Sequence, residues 1–472
     1  DTYGLSENVL ETNQSGNVDS VDSEYGNTYG WLTLKSVLSP DLYARTIVYA
    51  GSVTKKRDWQ NFDLDPDAHL ASATIHDRVD LGLIGLKQDW DYQAGPKTLL
   101  KLGVDVKKLE ATIDYSKAIH NEFITADDRL TEQIESFSTK RNPNGEQLGA
   151  YLAGRFKLSA PLTLETGVRY DHTSHTEDNL WSPRVSAVYS LASATFLRAG
   201  WGYYYQTQGI DQLRVQFGER DYDPAERAEH FVLGLEHFFR NGLSLRAGAY
   251  RKRMSKLQDE FYSFHDIDEF FPEARDDLVR LSLDGSTARG IETYLKYDTG
   301  NRLSWWLSYV LSEATDDVAE IHYDGSLIKK TGELPRAWDQ RHTLNIDANY
   351  RLSNAWQFNV TWKQRSGWPN TDFEVGRLRR EDGTFAYYQQ RGVFRGTRVP
   401  SYQRLDVRIN RHFYTSRGKT SVFLHVINLL DHQNVIRYDH DLAEESAESF
   451  RSDIEAEAWF GLVPFIGMSW EI

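Results

Sequence analysis

The chain contains no cysteine among its 472 residues. Without thiols it can form no disulfide bond, no thiolate metal site and no cysteine nucleophile. It also lacks a run of about 18 apolar residues, the length that a membrane-spanning helix requires. Positive charge is in deficit, because 54 basic residues stand against 69 acidic ones and the formal net charge is −15. This deficit argues against nucleic acid as a partner, since its phosphates would be repelled.

Aromatic residues, in contrast, are abundant. They make up 13% of the chain, with 26 tyrosines and 13 tryptophans. The core of a soluble protein does not need so many amphipathic rings, whereas a membrane barrel carries girdles of Trp and Tyr at both interfaces.

A period of two dominates the sequence from about Tyr25 to the end. In 343–352 the residues Leu, Ile, Ala and Tyr occupy one face, and Asn, Asp and Arg occupy the other. In 356–363 Trp, Phe and Val alternate with Gln, Asn, Thr and Lys. Alternation of this kind indicates strands. The segments are roughly 10 residues or longer, which exceeds the usual strand of a soluble protein, and the pattern gives about 17 of them.

The connections between these segments alternate as well. Short links rich in turn residues are followed by long polar stretches, which lie near 53–77, 109–145, 172–181, 206–226, 254–286, 313–339, 365–399 and 431–460. Tight turns on one side and long loops on the other are typical of an outer-membrane barrel. The sequence therefore predicts an all-β, transmembrane antiparallel β-barrel with about 17–18 strands over residues 25–472. Residues 1–24 are predicted to be an extracellular loop or a leader.

The stretch 365–400 is the most suggestive loop for ligand binding, because it combines six aromatic residues with seven arginines. Such a set can hold an anionic, aromatic ligand by ring stacking and charge-assisted hydrogen bonds. Packing between loops and attraction to lipopolysaccharide phosphates explain the same composition. A second candidate is the aromatic end of the strand at 203–206, where an aromatic girdle is the alternative interpretation. The ligand-binding candidates are Tyr204, Tyr205, Trp368, Arg379, Tyr387, Tyr388 and Arg391.

No enzyme, metal or cofactor site is predicted. The acidic residues between Asp259 and Arg280 have no EF-hand spacing and are interpreted as a solvated outer loop. Gly-x-Ser-x-Gly, His-Glu-x-x-His and Walker sequences are all missing from the chain.

Several segments resemble the barrel of TonB-dependent outer-membrane receptors. Each motif is weak by itself, but they follow one another in the family's order across the last two thirds of the chain. They are Trp181-Ser-Pro-Arg-Val185, Leu197–Gln206, Pro224–Phe231, Ala288-Arg-Gly-Ile-Glu292, Asp339-Gln-Arg-His342, Arg398–Asp406, Asn428-Leu-Leu-Asp431 and Gly461–Ile472. Before residue 181 the resemblance is limited to the rhythm of the strands.

The resemblance implies a function as well as a fold. Members of this family have 22 strands and an N-terminal plug domain, and they import scarce nutrients, most often ferric siderophores, with energy from the TonB complex. No plug is recognisable in this chain, so the plug and the first strands are expected to be absent from it. The closing segment resembles the family's barrel-assembly signal at Gly467, Trp470 and Ile472, although the family ends in an aromatic residue.

The resemblance further implies lipid, lipopolysaccharide and a small-molecule ligand as partners, and a bacterial outer-membrane location. A passive, porin-like channel is the alternative function, because porins have 16–18 strands. A barrel enzyme is a third possibility that no motif supports.

Overall fold

Seventeen long strands succeed one another in the computed structural model, which describes residues 2–3, 11–12, 18–62, 72–124, 130–263, 270–274, 278–323, 326–379, 385–446 and 449–471. Their side chains are described for 20–61, 72–120, 134–262, 270–274, 278–323, 327, 332–372, 392–438 and 456–471. The strands are β1 (Val18–Ser39), β2 (Leu42–Phe62), β3 (Ser72–Gln93), β4 (Thr98–Ile124), β5 (Asn144–Lys157), β6 (Leu162–Thr173), β7 (Asp178–Ala192), β8 (Thr195–Gln206), β9 (Glu226–Phe238), β10 (Leu243–Ser255), β11 (Leu278–Asp298), β12 (Leu303–Tyr323), β13 (His342–Arg351), β14 (Trp356–Arg365), β15 (Tyr402–Thr415), β16 (Gly418–Ile427) and β17 (Val463–Glu471).

Each of these strands pairs antiparallel with the next, from β1 to β17. Five further strands extend the same sheet to 22 strands: Thr2–Tyr3, Glu11–Thr12, Leu130–Arg141, Glu260–Ser263 and Ser326–Pro335. Separate two-stranded sheets are formed by Pro369–Asn370 with Thr397–Arg398, Phe373–Arg379 with Phe385–Arg391, and Val435–Ser446 with Ser449–Ala458. Two short 3₁₀ helices lie at Val215–Phe217 and Pro272–Ala274. The all-β prediction and the count of about 17 wall strands are confirmed.

The two faces of the wall differ in chemistry, as the alternation predicts. On β3 and β4 one face exposes Ile84, Leu86 and Val106, which suits contact with lipid. The opposite face carries hydrogen-bonded polar groups, among them Asp89, whose carboxylate accepts bonds from Arg45 at 2.6 Å and from the Tyr151 hydroxyl at 3.0 Å. This polar face lines the lumen.

Some predicted loops prove to be strands. The stretch 53–77 is mostly occupied by the ends of β2 and β3, which run to Phe62 and from Ser72, and 172–181 contracts to the link 174–177. The strands continue beyond the membrane, where the outward face is also polar, as at His76, Arg78 and Asp80. Alternation is therefore lost while the backbone pairing persists. The first wall strand likewise begins at Val18, before the Tyr25 that the period indicated.

Two connections on the long-loop side fold back onto distant strands, and we call them the roof. They are the β8–β9 loop (207–225) and residues 270–274 of the β10–β11 loop (256–277). Both pack on the lumen side of β2–β4, where one buried cluster joins Ile75, Ile113 and Tyr115 to Leu213, Val215 and Phe271. A second cluster joins Ile210 to Leu109 and Ala111, with Tyr222 packed against it. Within the parts of the chain described above, no helix is long and apolar enough to cross a membrane.

Candidate functional site

A cavity of about 970 Å³ lies against the lumen face of β8–β12. Four connections contribute to its lining: the β8–β9 loop, the β10–β11 loop, the β12–β13 loop (324–341) and the β14–β15 loop (366–401). Its volume falls in the range of small-molecule binding sites. We call it the β8–β12 cavity.

Tyr204 and Tyr205, two of the candidates from the sequence, both line this cavity. The Tyr204 ring lies 4.5 Å from the ring of His230. The Arg184 guanidinium carbon lies 5.7 Å from the centre of the Tyr204 ring, which is a cation–π contact. Tyr204 therefore sits between a basic group and a second ring, an arrangement suited to stacking with a planar ligand group.

A network of four charged side chains closes one end of the cavity. Arg395 lies 3.3 Å from Asp316 and 3.8 Å from Glu260, and Arg336 lies 3.1 Å from Asp316 and 3.4 Å from Glu260. Arg395 also donates to the Tyr262 hydroxyl at 3.1 Å. The two cations and two anions balance, and burial raises the pKa of Glu260 despite them. We call this set the four-charge network.

The network assigns a structural role to part of the arginine-rich stretch. Arg395, only 7% exposed, ties the β14–β15 loop to β12, and Arg398 pairs with Asp339 of the β12–β13 loop. These two arginines hold loops together, and Arg395 does so from the lining of the cavity. Their acidic partners lie far away in the sequence, at Asp316 and Asp339, so composition could not reveal the pairing.

Trp368 lies elsewhere, on a cavity of about 560 Å³ between β14 and β17. Lys363, Arg365, Tyr402 and Trp459 share that lining. The structure thus does not bring Trp368 together with Tyr204.

The remaining loop candidates, Arg379, Tyr387, Tyr388 and Arg391, lie in the Phe373–Arg379 and Phe385–Arg391 hairpin. Their side chains fall outside the described residues.

The roof closes the opposite side of the lumen through a second set of charges. Arg57 of β2 lies 2.6 Å from Asp77 of β3 and 2.9 Å from Glu273 of the roof, and it donates to the Phe270 carbonyl at 2.7 Å. Lys117 of β4 donates to the Glu273 carbonyl at 3.3 Å. We call Arg57, Asp77 and Glu273 the roof anchor.

The roof anchor corrects the interpretation of 259–280 as a solvated loop. Glu273 is only 5% exposed, and burial raises the pKa of its carboxyl. The Phe271 ring stacks on Trp59 at 5.5 Å, so this part of the acidic stretch is packed. Its partners lie on strands about 200 residues earlier in the chain, beyond the reach of a local pattern.

Sequence reasoning missed the polar groups on the cavity wall, notably His230 and Lys252. Lys252 lies in the run Arg251-Lys-Arg253 of β10, where both faces are basic and alternation gives no signal. Register supplies the missing information, because His230 pairs directly with Lys252 across β9 and β10.

The predicted assembly signal lies on the last strand. Gly467 and Trp470 belong to β17, and Ile472 lies outside the described residues. A Cβ at Gly467 would lie 2.4 Å from the Phe423 ring of β16, so glycine lets that ring lie across the strand. In the described residues, no group of three or more His, Asp or Glu side chains has a geometry that could hold a metal ion.

The chain was compared with models of protein families and with known proteins. Residues 2–429 match the family model "TonB dependent receptor-like, beta-barrel". Among curated proteins none matches the chain in sequence.

Solved structures share the fold at low identity. The siderophore receptor PiuA from Acinetobacter baumannii superposes with a TM-score of 0.59 at 10% identity, over 96% of this chain and 65% of that one. The pyoverdine outer-membrane receptor FpvA from Pseudomonas aeruginosa, bound to pyoverdine, gives 0.57 at 12% identity, over 96% of this chain and 62% of that one. The chain thus spans less than two thirds of the length of these two receptors. It belongs to the TonB-dependent receptor-like β-barrel family of the bacterial outer membrane.

Proposed function

We propose that this barrel takes up a scarce nutrient, a ferric siderophore, across the outer membrane with energy supplied by the TonB complex. The observation that carries the proposal is the roof. Loops from β8–β9 and β10–β11 are packed over the lumen side of β2–β4 and leave a cavity on the other side. A lumen covered in this way suits a receptor that first binds its substrate and then admits it, more than a pore for free diffusion.

The ligand is proposed to bind in the β8–β12 cavity, with Tyr204 and Tyr205 as contacts. The hairpin with Arg379, Tyr387, Tyr388 and Arg391 and the cavity at Trp368 are proposed as further contacts. Two structural relatives, PiuA and FpvA, are themselves described as receptors for siderophores or for pyoverdine, which supports this substrate class.

Uptake of radioactive iron tests the proposal. Cells that express the complete gene should accumulate iron from a ferric siderophore, and deletion of TonB should abolish the accumulation. Iron entry at the same rate without TonB, together with swelling of sugar-loaded liposomes that contain the barrel, would instead establish the porin-like alternative.

A further inference from the structure

The charges that line the β8–β12 cavity are not all compensated. Arg214 is neutralised by Glu219 at 2.5 Å and Asp223 at 3.1 Å, and the four-charge network is balanced internally. Glu226 lies on the same face of β9 as His230 and accepts a hydrogen bond from the Gln258 backbone N–H at 3.2 Å, whereas Arg227 lies on the opposite face. Charge that is already paired inside the protein contributes little to the attraction of a ligand.

Lys252 is different. Its side chain lines the cavity, and among the described residues it makes no ion pair with a carboxylate. Arg184 on β7, at the adjoining part of the wall, likewise has no carboxylate partner within the described parts of the chain. Its guanidinium lies over the Tyr204 ring. Two cations on the lumen face therefore lack an ion-paired carboxylate among the described residues.

Register places these cations in one row across four strands. Arg184 pairs with Gly202, Gly202 with His230, and His230 with Lys252. The row has room for the Arg184 side chain because residue 202 is glycine, whose added Cβ would lie 2.7 Å from Arg184 Cγ. Neighbouring strands are about 4.8 Å apart. Three such spacings separate the backbones of residues 184 and 252 by roughly 14 Å along the wall.

The middle of the row offers rings and an unused polar atom. Tyr204 and His230 lie ring against ring at 4.5 Å. The Nε2 atom of His230 is buried and has no hydrogen-bond partner among the described residues, so its hydrogen-bonding capacity is unused. Rings between two separated cations match a compact anion of about 1 nm that carries aromatic groups.

We infer that the row Arg184–Gly202–His230–Lys252, with Tyr204 over it, selects a polyanionic ferric chelate with aromatic donor groups over a neutral one. The inference rests on the proposed function and adds to it the charge class of the substrate. The loop arginines Arg395 and Arg398 are partly neutralised by Asp316 and Asp339. Attraction of the anion is therefore assigned to two residues of the barrel wall, Arg184 and Lys252.

Binding to the detergent-solubilised protein tests this inference by titration calorimetry. The probes are a trianionic ferric tricatecholate and a neutral ferric trihydroxamate. The affinity for the trianion should be at least about tenfold higher than that for the neutral chelate. Lys252→Ala and Arg184→Ala should each lower the affinity for the trianion by about three- to tenfold. Affinity for the neutral chelate should stay unchanged, and Lys252→Arg should retain the preference.

Arg253→Ala is the matched control, because residue 253 follows on the same strand and faces the opposite side. Equal affinity for the two chelates, or an equal loss in Arg253→Ala, would overturn the inference.

A third probe, iron-free tripolyphosphate, separates this inference from the proposed function. Suppose that neither ferric chelate binds but tripolyphosphate does, and that Lys252→Ala abolishes its binding. The row Arg184–Gly202–His230–Lys252 is then an anion-binding site, and the ferric siderophore proposal fails. If none of the three probes binds to protein whose strand content is intact by circular dichroism, both are refuted.

Discussion

Near the long loops, the two sides of the lumen, β2–β4 and β8–β12, differ in polarity and in whether they are covered. On β2–β4 the lumen face carries a covered apolar set, as at Ile75, Leu109 and Ile113, beside the charged roof anchor. On β8–β12 they are polar and border an open cavity, as at His230 and Lys252. The apolar surface receives the roof, whereas the polar surface remains accessible to a ligand.

This difference shows how a barrel can place its loops without filling its lumen. Each roof loop begins and ends on the polar side and makes its buried contacts on the apolar side. The two loops also contact each other, since the rings of Phe217 and Phe261 stack at 4.2 Å with an angle of 5° between their planes. The roof therefore depends on β2–β4, while the cavity depends on β8–β12, and substitutions should separate the two.

The largest expected effect comes from Arg57→Met in the roof anchor. The change leaves the buried carboxylate of Glu273 and the neighbouring Asp77 without their cation. Loss of one partner of a buried ion pair costs about 3–5 kcal/mol. We expect residues 270–274 to separate from β2–β4, which hydrogen–deuterium exchange of that segment would measure as a large loss of protection.

The matched control is Lys56→Met, which removes a partly exposed ion-paired cation from the other face of the same strand. It should leave the exchange of 270–274 unchanged. Equal loosening in both variants would mean that the roof does not depend on the anchor.

A smaller effect is expected for Ile113→Ala, which opens a cavity in the cluster beneath the roof. Removal of a buried isoleucine side chain beyond Cβ costs about 2–4 kcal/mol. Hydrogen–deuterium exchange of residues 270–274 should become faster. The fold-change in ligand affinity at the β8–β12 cavity should be smaller than the fold-change in that exchange rate. Val104→Ala, on the lipid side of the same strand, is the control. If it loosened the roof as much, the comparison between the two lumen surfaces would be wrong.

The smallest effect should be a pH dependence of the roof. Burial raises the pKa of Glu273, so between the ordinary Glu pKa and the raised value the folded roof binds a proton that the unfolded segment does not. The contribution of this group to stability is therefore present at low pH and is lost as pH rises through the raised pKa. Exchange of 270–274, corrected for intrinsic rates, should be slower at about pH 5 than at about pH 7.5.

Glu273→Gln resembles the protonated carboxyl and should flatten this dependence. A slope that persists unchanged in the variant would assign it to another group.

The wall of the barrel was predictable because side-chain alternation is local. In 343–352 and 356–363 each residue's face follows from its parity, and the structure pairs these segments as β13 and β14. Alternation failed where both faces share one chemistry. His76 and its cross-strand partner Asp58 are both polar, so the stretch 53–77 is predicted as a loop where the structure has the ends of β2 and β3.

The candidate site was only partly predictable. Aromatic composition identified Tyr204, which lines the β8–β12 cavity. It could not show that Trp368 lines a different cavity, between β14 and β17. Arg395 belongs to the arginine-rich stretch 365–400, and composition could not show that its partner is Asp316 on a different strand. Lys252 gave no signal, because its role depends on cross-strand register and on the absence of an acidic neighbour, both of which are properties of the fold.

The contact between Arg57 and Glu273 joins residues 216 positions apart and constrains the order of assembly. Contacts between such distant residues form late, because the intervening chain must first be placed. Until the roof segments are placed, Ile75 and Tyr115 lack their buried contacts with Leu213, Val215 and Phe271. During that interval this apolar surface is open to aggregation. A chain cut before residue 270 should therefore require protection by a chaperone in the periplasm, even though its strands could still pair.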